Sequence, residues 1–559
     1  MAIVRVPENL PRLRIVAGRG GRGLSTHVAW GSAALIVVLS SPASAQYAAP
    51  QGAGGTSSVP SLPPLTYSAP EQPGAEGAPR RAWEIVPTLY VEETYTDNVR
   101  LSPPGSERSD WVTEVRPGVA IYGNGARVRL RADYSPRLVY RVNEGDDIYH
   151  YLNATGNAEL LPGLFFVDAN TQATQQNVSL LGPQAQSNVN VTGNRTNVRS
   201  YRLSPYLREQ FGSDAVGELR YSYSSVDSSA ITSFADSDSN RIDLRVTSGP
   251  AFRLLTWNVA YSKENIDYRN TRDVDLETIS AGLGRLITPT LRLLGNVGYE
   301  DNNNITTGPE PKGSFWSVGP EWTPTPRTRI AATTGRRYFG STQSFDLEHR
   351  TRLTTWNVRY SEGITTAQQE VFVPVTVDAA SFLDTLFLSR IPDPVARQQA
   401  VQAFIAQTGI PSDLTVPLNF LTTTPYLLKQ WNAAFGIQGV RNTVLANAFA
   451  STREAVAAGQ PGAGDFAASS NTKQIGASLT WSLRVTPQTT SNVSAGYTRT
   501  EFPGLAREDD LTFIRLQLTH RFQPNLSGSL SFRRLDNDSN QPGGGYTENA
   551  VAAALSMQF

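Results

Sequence analysis

From Trp83 to the C-terminus, apolar and polar residues alternate with a period of two over long segments, which predicts strands with two unlike faces. The clearest run spans Arg127 to Asn143. Val128, Leu130, Ala132, Tyr134, Leu138, Tyr140 and Val142 share one face, and Arg127, Arg129, Arg131, Asp133, Arg137 and Arg141 share the other. The same pattern sets Trp257, Val259 and Tyr261 against Asn258 and Ser262, and Val551, Ala553, Leu555, Met557 and Phe559 against Ser556 and Gln558. Several segments keep alternating for roughly 12 to 16 residues, whereas strands of a soluble sandwich have about 5 to 6. That extra length suits a strand crossing a bilayer at the tilt of a barrel. Aromatics near segment ends (Trp83, Tyr90, Tyr140, Tyr149, Tyr151, Trp257, Tyr261, Trp356, Tyr360, Trp481 and Tyr497) are expected to form girdles at the two interfaces.

The connections point the same way. One set is short and rich in Pro or Gly, as at Gly123-Asn-Gly, Leu161-Pro-Gly, Phe211-Gly-Ser-Asp, Thr288-Pro, Thr486-Pro-Gln and Gln523-Pro-Asn. The alternating set is longer and polar: Asp97 to Asp110, Asn177 to Asn194, Asp301 to Gly313, Ala455 to Ser470 and Asp536 to Gly545. Counting segments gives about 22 strands, with every short turn at one end and every long loop at the other. The fold expected is an all-β protein, a large antiparallel transmembrane β-barrel over residues 83–559, interrupted by one helical loop insert at about residues 378–412.

In that insert Asp393-Pro394 reads as an N-cap followed by Pro, Val401, Phe404 and Ile405 form an apolar stripe, and Gly409 with Pro411 stops the helix. The preceding strand is expected to end near Gln369. A second stripe of Phe382, Leu383, Leu386 and Phe387 lies just ahead of the helix. Two exposed apolar stripes need a surface to dock on. Phe382, Leu386, Phe387, Val401, Phe404 and Ile405 are therefore candidates for a plug folded into the lumen, the alternative being a surface hairpin packed on itself.

The chain before the barrel reads as targeting and linker sequence. Arg5, Arg12, Arg14, Arg19 and Arg22 precede an apolar run from Val28 to Leu39 and a small-residue cleavage site ending at Ala45, which predicts a signal peptide over residues 1–45. Residues 46–82 are dominated by Pro, Gly, Ala and Ser and are expected to form a disordered linker, too short to be a plug domain. No cysteine occurs among the 559 residues, which removes disulfides, thiolate metal sites and cysteine nucleophiles and suits passage through an oxidising periplasm. Charge is balanced, 49 Lys and Arg against 49 Asp and Glu, so nothing global favours a nucleic-acid partner. The terminal Phe559, at the end of an apolar stripe, fits the signal read by the barrel-assembly machinery.

Within this frame Arg127, Arg129, Arg131, Arg137 and Arg141 form a candidate anion strip facing the lumen, suited to an acidic polysaccharide. The competing reading is a structural strip neutralised by carboxylates such as Asp133, Glu218 or Asp243. Enzymatic motifs are missing: no serine elbow, phosphate loop or HExxH pair occurs, and His150, His349 and His520 are scattered, so no catalytic residue and no cofactor is expected. Asp236 to Asn240 and Asp536 to Asn540 start like calcium loops but lack the later glycine and glutamate, and are read as solvated loops with no metal site assigned.

GRRYFGSTQSFDLEHRTRLTTWNVRYSEGITT (Gly335 to Thr366), LDTLFLSRIPDPVARQQAVQAFIAQTGIP (Leu383 to Pro411), DSNQPGGGYTENAVAAALSMQF (Asp538 to Phe559) and TYTDNVRL (Thr94 to Leu101) resemble an outer-membrane β-barrel family associated with PEP-CTERM and exosortase systems. The resemblance implies a place in the Gram-negative outer membrane, near exopolysaccharide production and surface-protein sorting, and carries over no catalytic or binding residue. The expected function is accordingly a structural or transport barrel in exopolysaccharide assembly, with outer-membrane lipid and the assembly machinery as partners. The alternatives are a general or solute-selective porin, and a surface-interaction protein with a closed lumen.

Overall fold

The computed structural model describes residues 83–229, 236–269, 272–303, 310–372, 377–388, 413–414, 424–456 and 464–559, with Ile391, Arg397, Ala400, Val401, Phe404, Ile405 and Thr422 between them. The expected signal peptide and linker, and the Asp393-Pro394, Gly409 and Pro411 helix signals, lie outside the described residues.

Twenty-two antiparallel strands, from Trp83–Thr96 to Tyr546–Gln558, form one sheet in which the first strand pairs with the last. The seam runs from Thr88 opposite Gln558 to Thr96 opposite Ala550. Closure leaves no row of unpaired backbone amides and carbonyls, which an apolar solvent could not satisfy. Period two then sorts the side chains. In the first strand Trp83, Ile85, Val91 and Tyr95 are exposed on the outer wall, while Thr94 and Thr96 are buried inside. The outer wall carries aromatics near both strand ends. Trp83 and Tyr95 are twelve residues apart on one strand, and at roughly 3.3 Å per residue and a tilt near 45° their levels differ by about 28 Å, close to the height of a bilayer core. Three aromatics expected in these girdles point inward instead. Tyr90 lies under Arg116, Tyr151 under Arg137, and the Tyr149 hydroxyl accepts from Arg141. The Tyr90 and Tyr151 rings lie 4.3 and 5.1 Å from their guanidinium groups, and Tyr149 adds an acceptor for Arg141.

The turns at the Trp83 end are tight, as at 125–127, 162–164, 212–214 and 289–290. Gly163 and Gly212 hold positive φ angles of 71° and 57° there, a conformation that a Cβ disfavours. The opposite end carries the long connections 97–109, 178–194, 366–425 and 456–470. The segregation by length is incomplete, because 142–144, 338–339 and 503–506 at that end are also short. At 338–339 the turn residues are Tyr338 and Phe339, without the Gly or Pro that marks a turn in sequence.

Burial inside the barrel is asymmetric. On the strand Arg195–Phe211 the inner residues Thr196, Val198, Ser200, Ser204 and Tyr206 are buried, but Arg208 and Gln210, nearer the short-turn end, are exposed. Ser222, Ser224 and Val226 follow the same rule on the next strand. On these two strands covering of the inner wall is concentrated toward the long-loop end, whereas on the strands Asn442–Ala455, Asn471–Arg484 and Thr489–Phe502 the inner residues Thr443, Leu445, Ser482, Thr490 and Asn492, near the short turns, are buried as well.

Candidate functional site: the barrel lumen

The register places Arg129, Arg131, Arg137 and Arg141 on the inner wall, whereas Arg127 sits in the turn before the strand Val128–Arg141. The strip is not electrostatically uniform. Arg131 pairs with Asp133 at 3.1 Å, and Arg129 and Arg137 have no ion pair among the described residues. Arg141 is fully buried. Its guanidinium pairs with Asp147 at 2.6 Å and donates to the carbonyls of Asn188 at 2.6 Å and Val189 at 3.0 Å. Of the carboxylates considered as neutralisers, only Asp133 reaches the strip. Glu218 is held by Arg208 and Arg220, and Asp243 by Arg241, several strands away around the wall.

Those pairs belong to a general arrangement that the sequence does not mark. Charged residues of neighbouring strands meet on the inner face, as in Arg241 with Glu264 at 3.0 Å and Arg329 with Glu321 and Asp346 at 3.2 and 2.6 Å, while Arg220 reaches across one strand to Asp168 at 2.7 Å. Such paired charges keep the wall hydrophilic at small net charge. Elsewhere the inner face carries neutral polar side chains: Asn447 stands opposite Ser478, Ser482 opposite Asn492, Asn492 opposite Gln517 and Gln517 opposite Ser531, with Asn432 on the same face.

The connection 178–194 folds inward. Leu180 packs with Tyr426, Phe466 and Phe502, and Val189 with Val99, Val112 and Val139. Polar groups of the segment are met by the wall: the Gln184 amide donates to the Tyr546 hydroxyl at 3.0 Å, and Asn190 Nδ2 to Glu548 Oε1 at 2.7 Å. Asp465, in the short helix Gly464–Ala467, accepts from the Ser179 hydroxyl and from the Leu180 amide at 2.6 Å. Burial pushes the Asp465 carboxyl above its ordinary value, against the opposing effect of those two donors and of Arg507. In the sequence this segment is marked only as one of the longer polar connections. The available signal was its apolar residues, Leu180, Leu181, Val189 and Val191, set among Asn, Gln and Ser that can satisfy a buried backbone.

Arg141 is the main tether of this segment to the wall. Replacing it by Gln should cost about 3 kcal/mol, the low end for breaking a buried pair because Asp147 keeps solvent contact. Faster hydrogen exchange confined to residues 178–194 is the expected readout; unchanged exchange there would remove Arg141 from this role.

A second inward segment begins earlier than the sequence suggests. The strand Thr354–Thr365 stops before Gln369, and the helix Ala367–Phe372 follows at once. Thr366 caps it, its Oγ1 accepting from the Gln369 backbone amide at 3.2 Å. The helix reaches strands nearly half the circumference away: Phe372 packs on Val198 and Val226, the Arg202 guanidinium lies 4.1 Å from the Phe372 ring centroid, and Gln369 donates to Glu264 at 2.9 Å. Glu370 lies 3.8 Å from Arg453 on yet another part of the wall.

The helix Ala379–Phe387 then lies on the inner wall. Phe382, Leu383, Leu386 and Phe387 are buried with Val401 against Ala434 and Leu445, with Phe404 and Ile405 alongside. The structure therefore gathers all six candidate plug residues into one cluster inside the barrel. The Phe404 ring meets Phe387 edge-on at 5.6 Å, and Arg397 donates to Asp384 at 2.8 Å. Contact with the wall depends on Gly436, where a Cβ would stand 2.7 Å from Phe382 Cε1 and 3.2 Å from Leu386 Cδ2. Gly436→Leu should therefore weaken docking of this helix by about 1–3 kcal/mol through overpacking. Limited proteolysis of the folded barrel should cut within 377–422 faster in this variant, and an unchanged cleavage rate would argue against the contact.

Other candidates stay dispersed. His150, His349 and His520 lie on separate strands, bonded to Tyr134, Thr328 and Thr489 at 2.9 Å each. Asp236 accepts from the amide and hydroxyl of Ser228, and Asp536 from Arg534 and Thr547. Among the described residues no group of three His, Asp or Glu side chains is placed to hold a metal ion.

Residues 443–559 match a family model described as "Putative beta-barrel porin 2". No curated protein matches the chain. Among solved structures, the chain is similar to the siderophore receptor PirA from Pseudomonas aeruginosa, at 10% identity and a TM-score of 0.43, over 85% of this chain and 80% of that one. It is also similar to PirA from Acinetobacter baumannii, at 9% identity and TM-score 0.45 over the same shares, and to OccK2 (OpdF) from Pseudomonas aeruginosa, at 7% identity and TM-score 0.32, over 85% of this chain and 98% of that one.

Proposed function

We propose that this chain is an outer-membrane transport barrel, closed at rest from its long-loop end by its own inward segments, that passes a polar, hydroxyl-rich substrate. The observation that carries the reading is the packing of 178–194 and 366–387 on widely separated parts of a hydrophilic inner wall. A passive structural ring has no need of such segments. A barrel of this strand number left empty would breach the permeability barrier. The apolar outer wall and the porin-type match over 443–559 support placement in the outer membrane with the long loops outside. The amide- and hydroxyl-rich sector fits sugar hydroxyls by hydrogen bonding, and Arg129 and Arg137 add sites for an acidic group.

Together with the resemblance to barrels associated with PEP-CTERM systems, this makes surface polysaccharide the favoured substrate class and its assembly the favoured role. In cells lacking the gene, surface polysaccharide should be lost and polymer should accumulate in the periplasm, as measured by sugar analysis of the two fractions. Unchanged surface polysaccharide together with loss of a small solute's uptake would select the porin reading instead.

A further inference from the structure

We propose that a pocket on the outer wall of the barrel binds the phosphorylated headgroup of an outer-leaflet glycolipid. The inference rests on the orientation proposed above, with the long-loop end outside. Four consecutive strands, Tyr426–Gln438, Asn442–Ala455, Asn471–Arg484 and Thr489–Phe502, bring Lys429, Thr452, Lys473 and Glu501 into one row, each directly opposite the next. The row beneath, away from the long loops, is Tyr360, Trp431, Ala450, Ile475 and Arg499. Between these rows lies a pocket of about 400 Å³. Its floor is low because Ala450 and Thr452 are small, and Trp431 and Ile475 rise on either side of it.

The chemistry is layered. Trp431 stacks on Tyr360 with ring centroids 4.6 Å apart and planes inclined by 28°, an aromatic pair of the kind found at the level where acyl chains give way to headgroups. One row further out, at headgroup level, stand two ammonium groups. Their strands are two spacings apart, about 10 Å, so the long side chains can converge on one anion over the Thr452 hydroxyl. Lys429 already shares its charge with Glu454 at 3.2 Å, but Lys473 is exposed and has no ion pair among the described residues. Arg499 is held by Asp510 through two bonds of 2.7 Å and serves as a wall rather than a free donor. Glu501 ends the row beyond Lys473, so the cationic span is confined to Lys429, Thr452 and Lys473 and suits a single phosphate. A sugar ring attached to that phosphate would lie over this aromatic pair. Phospholipid headgroups offer no such ring, which favours a phosphorylated glycolipid.

The test uses the full chain, folded in detergent and checked for the gel shift between unboiled and boiled samples. Native mass spectrometry would be run with a diphosphorylated glucosamine-disaccharide lipid, its dephosphorylated form and phosphatidylglycerol. The wild type should retain the phosphorylated glycolipid, and a K429Q/K473Q variant should retain it roughly tenfold less, the effect of removing two charge-assisted contacts. A K429R/K473R variant should bind as the wild type does, which controls for folding. Equal retention by K429Q/K473Q, or equal retention of the dephosphorylated lipid, would overturn the site. Equal retention of phosphatidylglycerol would overturn the glycolipid assignment. An epitope inserted at Gly105, in the connection 97–109, separates the two readings: detection on intact cells with no phosphate dependence sinks the lipid site alone, whereas an epitope hidden on the periplasmic side sinks the orientation.

Discussion

Replacing both inward segments, 178–194 and 366–425, by short Gly-Ser linkers should raise single-channel conductance in planar bilayers by roughly tenfold and sensitise cells to large antibiotics, since a 22-strand barrel is too wide for wall side chains to fill. Replacing 366–425 alone should give a smaller and noisier rise. The connection 178–194 would stay docked through Arg141, Gln184 and Asn190, on wall residues that the second segment does not supply. In the open form, replacing Arg129 and Arg137 by Gln should lower anion preference, because neither is ion-paired. Replacing Arg131 should do less, since Asp133 already offsets it. Equal conductance before and after the double replacement would mean that the inward segments do not limit the passage, and the closed surface-interaction reading would then be preferred.

Deleting Phe559 should lower the yield of folded barrel by roughly an order of magnitude while leaving export intact, because an unclosed sheet leaves a bare edge in lipid. The Phe559 amide donates to the Pro87 carbonyl at 3.0 Å, one residue beyond the seam between the first and last strands. Its ring is exposed on the outer wall, so packing inside the barrel does not explain the residue, and we propose recognition during assembly as its role. Phe559→Tyr should assemble normally and Phe559→Asp should not. Heat-shifted migration on gels reads the folded fraction directly. Normal assembly of the truncated chain would show that closure and recognition do not depend on this residue.

The barrel was legible in the sequence because its cause is local. Alternation along Val128–Arg141 reports the two faces of one strand, and the Pro and Gly turns report where strands reverse, so the strand count of 22 and the inner face of Arg129, Arg131, Arg137 and Arg141 follow from neighbours in the chain. What lies inside the barrel depends on distant partners. Nothing near Leu180 in sequence announces Tyr426, Phe466 or Phe502, and the destination of Phe372 is a pair of valines on the far wall. Period two also cannot tell a girdle tyrosine from one that covers an inner arginine, which is why Tyr90, Tyr149 and Tyr151 were placed on the wrong face. The helix Ala367–Phe372 was missed because six residues are too few for a helical period to stand out beside a strand.

Thiol labelling tests the closed lumen most directly, since the chain has no cysteine of its own. Ser531 faces the lumen in the half nearer the short turns and is only partly buried. A Ser531→Cys variant should resist a bulky, membrane-impermeant maleimide applied to intact cells. It should react once 178–194 and 366–425 are replaced by linkers, and also when the periplasmic side is made accessible. Rapid labelling of the otherwise unaltered barrel from outside would contradict the account, because the reagent would then have passed the region that the inward segments are held to close.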